Sequence, residues 1–222
     1  MTPGQLIVRA GDVSGRVVGP VLRARDRFRG HSGRLHFGCG GVLLPGWTNI
    51  DYAPFGQQLV AWSLPDRYLD LARRLPYGSG SATHAYSNNF LEHLRRDDAL
   101  RHLRECFRVL RPGGRLRVVT PDAEYYARAY LARDPLIADR AQSPYWPEWI
   151  VDPLDVLNTI MRGSSERGWI HEWLWDAPLL ARTLTSIGFT DAQRMPLDES
   201  HDPLLTALDG NPPGCFAVEA VR

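Results

Sequence analysis

The chain has 222 residues, 44% hydrophobic and 23% charged, a balance that fits one globular domain with a sizeable core and excludes a disordered chain. A net charge of +1 supplies no field for holding a phosphate backbone, so nucleic acid is not an expected partner. All 26 basic residues are Arg, which excludes Schiff-base lysine chemistry, a lysine base and a P-loop lysine.

In chain order, residues 1–32 read as an N-terminal extension, with a strand-like Leu6–Val8 and a helical candidate over Val21–Arg29. From residue 33 the pattern changes to alternating strands and helices. A strand over 34–37 enters the turn Gly38-Cys39-Gly40-Gly41, and a second over 48–51 closes on Asp51. A Gly-x-Gly turn lets backbone approach a ligand closely, and an acidic residue ending the next strand can grip a ribose diol. A helix start near Leu91 is followed by Asp97–Leu110, where Leu100, Leu103, Phe107 and Leu110 share helical spacing and Arg101, Arg104, Arg108 and Arg111 form a solvated stripe. A Pro-Gly-Gly turn then leads to a strand over Leu116–Val119. The stretch 134–170, rich in Pro and without clear periodicity, reads as a lid, and Ala177–Ile187 as a helix capped by Gly188. The alternation implies an α/β protein with a mainly parallel sheet, helices on both faces, and a crevice at the strand C-termini.

No apolar run is long enough to cross a bilayer, and the N-terminal stretch lacks the apolar centre of a signal peptide. A cytoplasmic protein without membrane contact is expected. Three scattered cysteines read as reduced thiols.

Three segments together, LHFGCGGVLLPGWTNIDYAP (35–54), LPYGSGSATHAYSNNFLEHL (75–94) and LRECFRVLRPGGRLRVVTPD (103–122), resemble the class I S-adenosylmethionine-dependent methyltransferases. The likeness extends through HEWLWDAPLLARTLTSIGF (171–189) and is nearest to short methyltransferases linked to sugar and natural-product modification. It implies a Rossmann-like domain over 33–222, S-adenosylmethionine as cofactor, no metal, and a small-molecule acceptor methylated on oxygen, with nitrogen as the second choice. It leaves a homodimer open. It also implies that Gly38, Cys39 and Gly40 approach the methionine part, Asp51 binds the ribose, Tyr52 covers the adenine, Asp70 and Leu71 meet the adenine edge, and Ser87 and Asn88 line the crevice near the sulfonium.

The chain departs from the family pattern in places. His36 stands where an acidic residue commonly faces the methionine amine, the interval from Gly40 to Asp51 leaves room for a turn in place of the first helix, Thr83 replaces a common Asp, and Asn89 replaces a His. On the acceptor side, Asn89, Tyr125, Tyr126, Trp169 and Trp173 are the expected substrate contacts. Trp146, Trp149 and Trp175 complete an aromatic cluster suited to sugar faces, flat rings or cationic amines. His171 is the leading general base and Asp122 the second. Glu92-His93 is expected to cap and pack a helix start. His171-Glu172 lacks the second His of a zinc-protease helix, Asn211-Pro212-Pro213-Gly214 lacks the stacking aromatic of amino-methylating nucleic-acid enzymes, and the seven histidines show no metal-ligand spacing. Two other classes remain: a non-catalytic cofactor-binding partner subunit, and a nicotinamide-dependent oxidoreductase, against which the Arg-Pro-Gly-Gly segment and the missing glycine-spaced helix start argue.

Overall fold

The computed structural model describes residues 19–26, 28–52, 64–134, 150–163, 170–210 and 214–222. Its centre is a seven-stranded sheet in the order β3-β2-β1-β4-β5-β7-β6. The strands are β1 (Arg34–Phe37), β2 (Thr48–Asp51), β3 (Arg67–Tyr68), β4 (Ala82–Asn88), β5 (Leu110–Pro121), β6 (Thr190–Met195) and β7 (Cys215–Val221). The first five are parallel, and β7 lies antiparallel between β5 and β6. The order reverses between β1 and β4, which opens a crevice at their C-terminal ends. The two strands predicted over 34–37 and 48–51 form with those bounds.

Side-chain alternation separates two faces. Leu35 and Phe37 of β1, Ala85 of β4, Leu116 and Val118 of β5 and Phe216 and Val218 of β7 join one buried cluster with α1 (Arg96–Val109) and α4 (Ala177–Ile187). Tyr86, Val119 and Ala217 face the other way, against Trp47, Met195 and Leu205. On α1 the buried face is Ala99, His102, Leu103, Cys106 and Val109, so the stripe is rotated from the predicted one. Leu100 and Phe107 are half-buried, because the helix sits on the sheet through its small residues. Leu110 already belongs to β5.

The Pro-Gly-Gly turn lies at the irregular start of β5. A Cβ on Gly114 would stand 2.8 Å from the Arg111 carbonyl oxygen and 3.1 Å from that of Thr83, so only glycine lets β5 turn in beside β4. α4 has the predicted bounds, is capped by Asp176 and ends in left-handed Gly188.

Within the stretch predicted as a lid, residues 135–149 and 164–169 lie outside the described residues, but Pro153–Arg162 is a helix, α3. Asp152 and Asp155 form a capping box and Pro153 occupies the first turn. Val156 and Ile160 of α3 bury themselves against Tyr126 and Ala129 of α2 (Ala123–Leu131). The periodic signal is short, which is why this helix is not apparent from pattern alone. Residues 19–26 are helical, agreeing with the start of the candidate over Val21–Arg29. Asp26 there accepts a hydrogen bond from the Tyr68 backbone N–H, covering an otherwise exposed sheet edge. Leu6–Val8 lies outside the described residues. No described helix is long and apolar enough to cross a membrane.

Candidate active site

β1 ends in a loop with Gly38 at φ 62° and Gly40 at φ 54°. The Phe90 ring lies where a Gly38 side chain would begin, its atoms 2.4 Å from an added Cβ, whereas nothing among the described residues lies within 4 Å of one on Gly40. The first glycine is therefore required by the protein's own packing, and the second leaves backbone open to a ligand. Asp51, at the end of β2 and 6% exposed, accepts from the Gly40 N–H at 2.7 Å and the Tyr52 N–H at 2.6 Å. The carboxylate thus clamps the loop and retains acceptor capacity for hydroxyl donors. The Cys39 N–H donates to the Ile50 carbonyl. Burial pushes the Cys39 thiol upward, with the Asp51 carboxylate adding to it, so it stays protonated.

A turn does replace the usual helix before β2, and Asn49 explains it. Its side chain donates to the Leu44 carbonyl and accepts from the Leu44 N–H. The same oxygen meets His36 Nδ1 at 3.0 Å. His36 is buried with its ring 5.2 Å from that of Tyr86, and burial holds its pKa at about 4. This neutral ring is built into the sheet face beside Tyr86.

Tyr52 is 47% exposed, with the Arg23 guanidinium 4.0 Å over its ring. Arg23 also donates to the Tyr52 carbonyl, an anchoring role with no signal in sequence. Asp70 is engaged by Arg73 Nε at 2.9 Å and the Ala72 N–H, in an arginine-rich surface hollow. Leu71 is a core residue whose carbonyl accepts from His102, so its side chain does not face the crevice. Ser87 is buried at the end of β4, paired in register with Phe37. Asn88 donates to the Asp209 carbonyl, while its Oδ1 is buried without a hydrogen-bond partner among the described residues. Asn89 adopts φ 50°, a left-handed position that Asn tolerates better than most residues, and accepts from Cys215 Sγ.

On the acceptor side, Asp122 is 3% exposed. It caps α2 by accepting from the Glu124 and Tyr125 N–H groups, and its other oxygen meets Arg194 at 3.1 Å. Tyr126 is only 2% exposed and belongs to the α2–α3 core, so it is no pocket wall; Tyr125 is half-buried. Trp173 keeps 36% exposure and Trp175 is a core residue. Trp146, Trp149 and Trp169 lie outside the described residues. His171 is buried, its Nδ1 is 2.5 Å from the Ile160 carbonyl, and burial depresses its pKa to about 4.

Glu92 departs most from expectation. It is 1% exposed and accepts from the Thr120 hydroxyl. Its backbone carbonyl accepts from the Glu172 and Trp173 N–H groups, which draws 170–173 against the 3-10 turn Leu91–His93 and brings His171 to His93. The sequence signal was a carboxylate set among Phe90, Leu91 and Leu94. Its partners lay too far along the chain to be inferred.

Residues 35–118, from β1 through most of β5, match the family described as "Methyltransferase domain". Among solved structures, an S-adenosylmethionine-dependent methyltransferase from Archaeoglobus fulgidus aligns over 100% of this chain and 100% of its own, at 14% identity and TM-score 0.51. A chain from the complex of the Haloferax volcanii Trm112 methyltransferase activator with a methyltransferase aligns over 100% of this chain and 98% of its own, at 13% identity and TM-score 0.50. These likenesses are of fold. No curated protein compared with the chain matches it. The likeness over residues 35–118 is to methyltransferases, and the likeness over the whole chain is of fold. The open backbone at Gly40 and the Asp51 carboxylate beside it fit a nucleoside cofactor.

Proposed function

We propose that the protein methylates an oxygen, with nitrogen as the second choice, of a small sugar-containing or natural-product acceptor. The observation that carries this reading is the clamp between Gly40 and Asp51 at the β1–β4 reversal, with the partly exposed aromatic rings of Tyr125 and Trp173 as candidate acceptor contacts. S-adenosylmethionine, when bound, would supply an electrophilic methyl group, and the protein would orient the acceptor hydroxyl and take up its proton. Asp51 would bind the ribose hydroxyls, Gly38 and Gly40 would shape the loop at the methionine part, Tyr52 and Asp70 would border the adenine, and Ser87 and Asn88 would line the crevice near the sulfonium. Asp122 already serves α2 and Arg194, so proton capture falls first to His171, whose donation to a carbonyl from Nδ1 leaves a lone pair on Nε2. Burial makes this ring a weaker base than free imidazole, which places its contribution at the low end of the usual range.

The test joins two variants. Asp51→Ala is expected to weaken S-adenosylmethionine binding by about 1.5–3 kcal/mol in calorimetry, the loss of charge-assisted hydrogen bonds. His171→Asn is expected to lower turnover on an acceptor panel by about a hundredfold with cofactor affinity retained. Unchanged cofactor affinity in folded Asp51→Ala would remove Asp51 from the site. Cofactor binding without turnover on any acceptor would favour the binding-subunit reading.

A further inference from the structure

Glu92, His93 and His171 each bring a ligand atom within 4.8 Å of the other two. Glu92 Oε2 accepts from Thr120 at 2.9 Å, but Oε1 is buried without a hydrogen-bond partner among the described residues and stands 3.9 Å from His93 Nε2. A buried carboxylate oxygen left without a donor is costly and calls for an explanation. Both imidazoles have Nδ1 at a backbone carbonyl, His93 at Ile170 (2.8 Å) and His171 at Ile160 (2.5 Å). A ring that donates from Nδ1 carries its lone pair on Nε2. Donation of the other ring N–H to a carbonyl is also how metal-bound histidines are oriented.

We propose that Glu92 Oε1 and the Nε2 atoms of His93 and His171 bind one divalent transition cation of the zinc class. Two imidazoles and one carboxylate suit zinc or cobalt better than magnesium or calcium, which prefer oxygen. Three protein ligands leave a fourth position for water or substrate. Donors around a tetrahedral zinc stand about 3.4 Å apart, so the three side chains close by roughly an ångström on binding. The backbone bonds from Glu172 and Trp173 to the Glu92 carbonyl tie the two ligand-bearing segments together. His93, with 31% of its side chain exposed, opens the site to solvent. Phe90, two residues before Glu92, packs on the cofactor loop at Gly38. The consequence for methyl transfer rests on the proposed acceptor side: with the cation bound, His171 would be a ligand in place of a base, and the fourth position would take the acceptor hydroxyl.

The experiment titrates the untagged full chain, stripped by chelator, with Co2+ and then Zn2+. Expected are one equivalent of Co2+, followed by its visible ligand-field absorption, and displacement by Zn2+. Glu92→Gln and His93→Asn are each expected to weaken binding by at least about a hundredfold, and exposed His201→Asn to leave it unchanged. Circular dichroism checks folding, and partly exposed His93→Asn decides the matter should Glu92→Gln fail to fold. No stoichiometric uptake by the wild type, or wild-type affinity in folded His93→Asn, overturns the site. S-adenosylmethionine calorimetry on the same metal-free samples is a separate readout: its failure would count against the proposed function and leave the cation result standing.

Discussion

Gly38 and Gly40 occupy similar backbone conformations for different reasons. Gly38→Ala would push a methyl group into the Phe90 ring and is expected to cost about 1–3 kcal/mol of stability. Gly40→Ala meets open space, so it is expected to cost only about 1 kcal/mol through its positive φ and to weaken S-adenosylmethionine binding more than folding. Chemical denaturation and calorimetry on both variants check the contrast; equal effects would show that the open space beside Gly40 is not the cofactor's. Both glycines were legible in the sequence because a strand running into Gly-x-Gly restricts backbone geometry locally. Phe90 as the neighbour was not, since it arrives from the end of β4. Leu71 and Tyr126 show the same limit from the other side, as their spacing along the chain does not reveal that their side chains enter separate cores.

Helix termini set the next level, and the carboxylates there divide between capping and chemistry. Asp176 accepts from the Leu179 N–H at 2.7 Å, and Asp176→Ala is expected to cost about 1 kcal/mol. Asp122→Ala removes a similar cap together with the Arg194 contact and should cost somewhat more in the same denaturant titration. Full stability with lost turnover in Asp122→Ala would instead return Asp122 to the role of base. Strong local signals made β1, β2 and α4 readable to the residue, whereas α3 depends on one capping box and two turns of apolar spacing. On α1 the chain offered Leu100 and Phe107 as the apparent face. The sheet selects Ala99 and Cys106 because a helix crossing β-strands closely needs small residues at the contact.

Across the whole molecule, buried polar groups tie distant segments together. Arg117 of β5 is fully buried and bonds Asp209, Glu219 and the carbonyls of Pro196 and Glu199, fastening 196–210 over the sheet. Two carboxylates face this one guanidinium, so removing Arg117 would leave Asp209 and Glu219 buried without their counter-ion. Neutral buried histidines add a pH dependence. Burial holds His36 and His102 near about 4, whereas an unfolded imidazole titrates near about 6.5. Between those values the unfolded chain binds more protons, so stability falls as pH drops from about 6.5 to about 4, by on the order of 3 kcal/mol per group at the acid limit. Above that window these groups contribute no slope. Urea midpoints from about pH 7.5 down to about pH 5 should show the decline, and His102→Gln should remove one proton from its slope; an unaltered slope in a folded variant would exclude His102 as a source.

By itself, the sequence determined the features that act over a few residues: the glycine turn and its following acid, the Arg-Pro-Gly-Gly turn, the strand–helix alternation and hence the mainly parallel sheet. Local sterics and hydrogen bonding suffice for each, so each is written in adjacent positions. Only the tertiary structure decided that His36 lies on the Tyr86 face and that Asp122 is occupied by α2 and Arg194. It alone also brought Glu92 and His93 beside His171. Those relations depend on which strands neighbour one another and which loops return over their ends, and the competition between burial and hydrogen bonding that settles them is resolved in three dimensions.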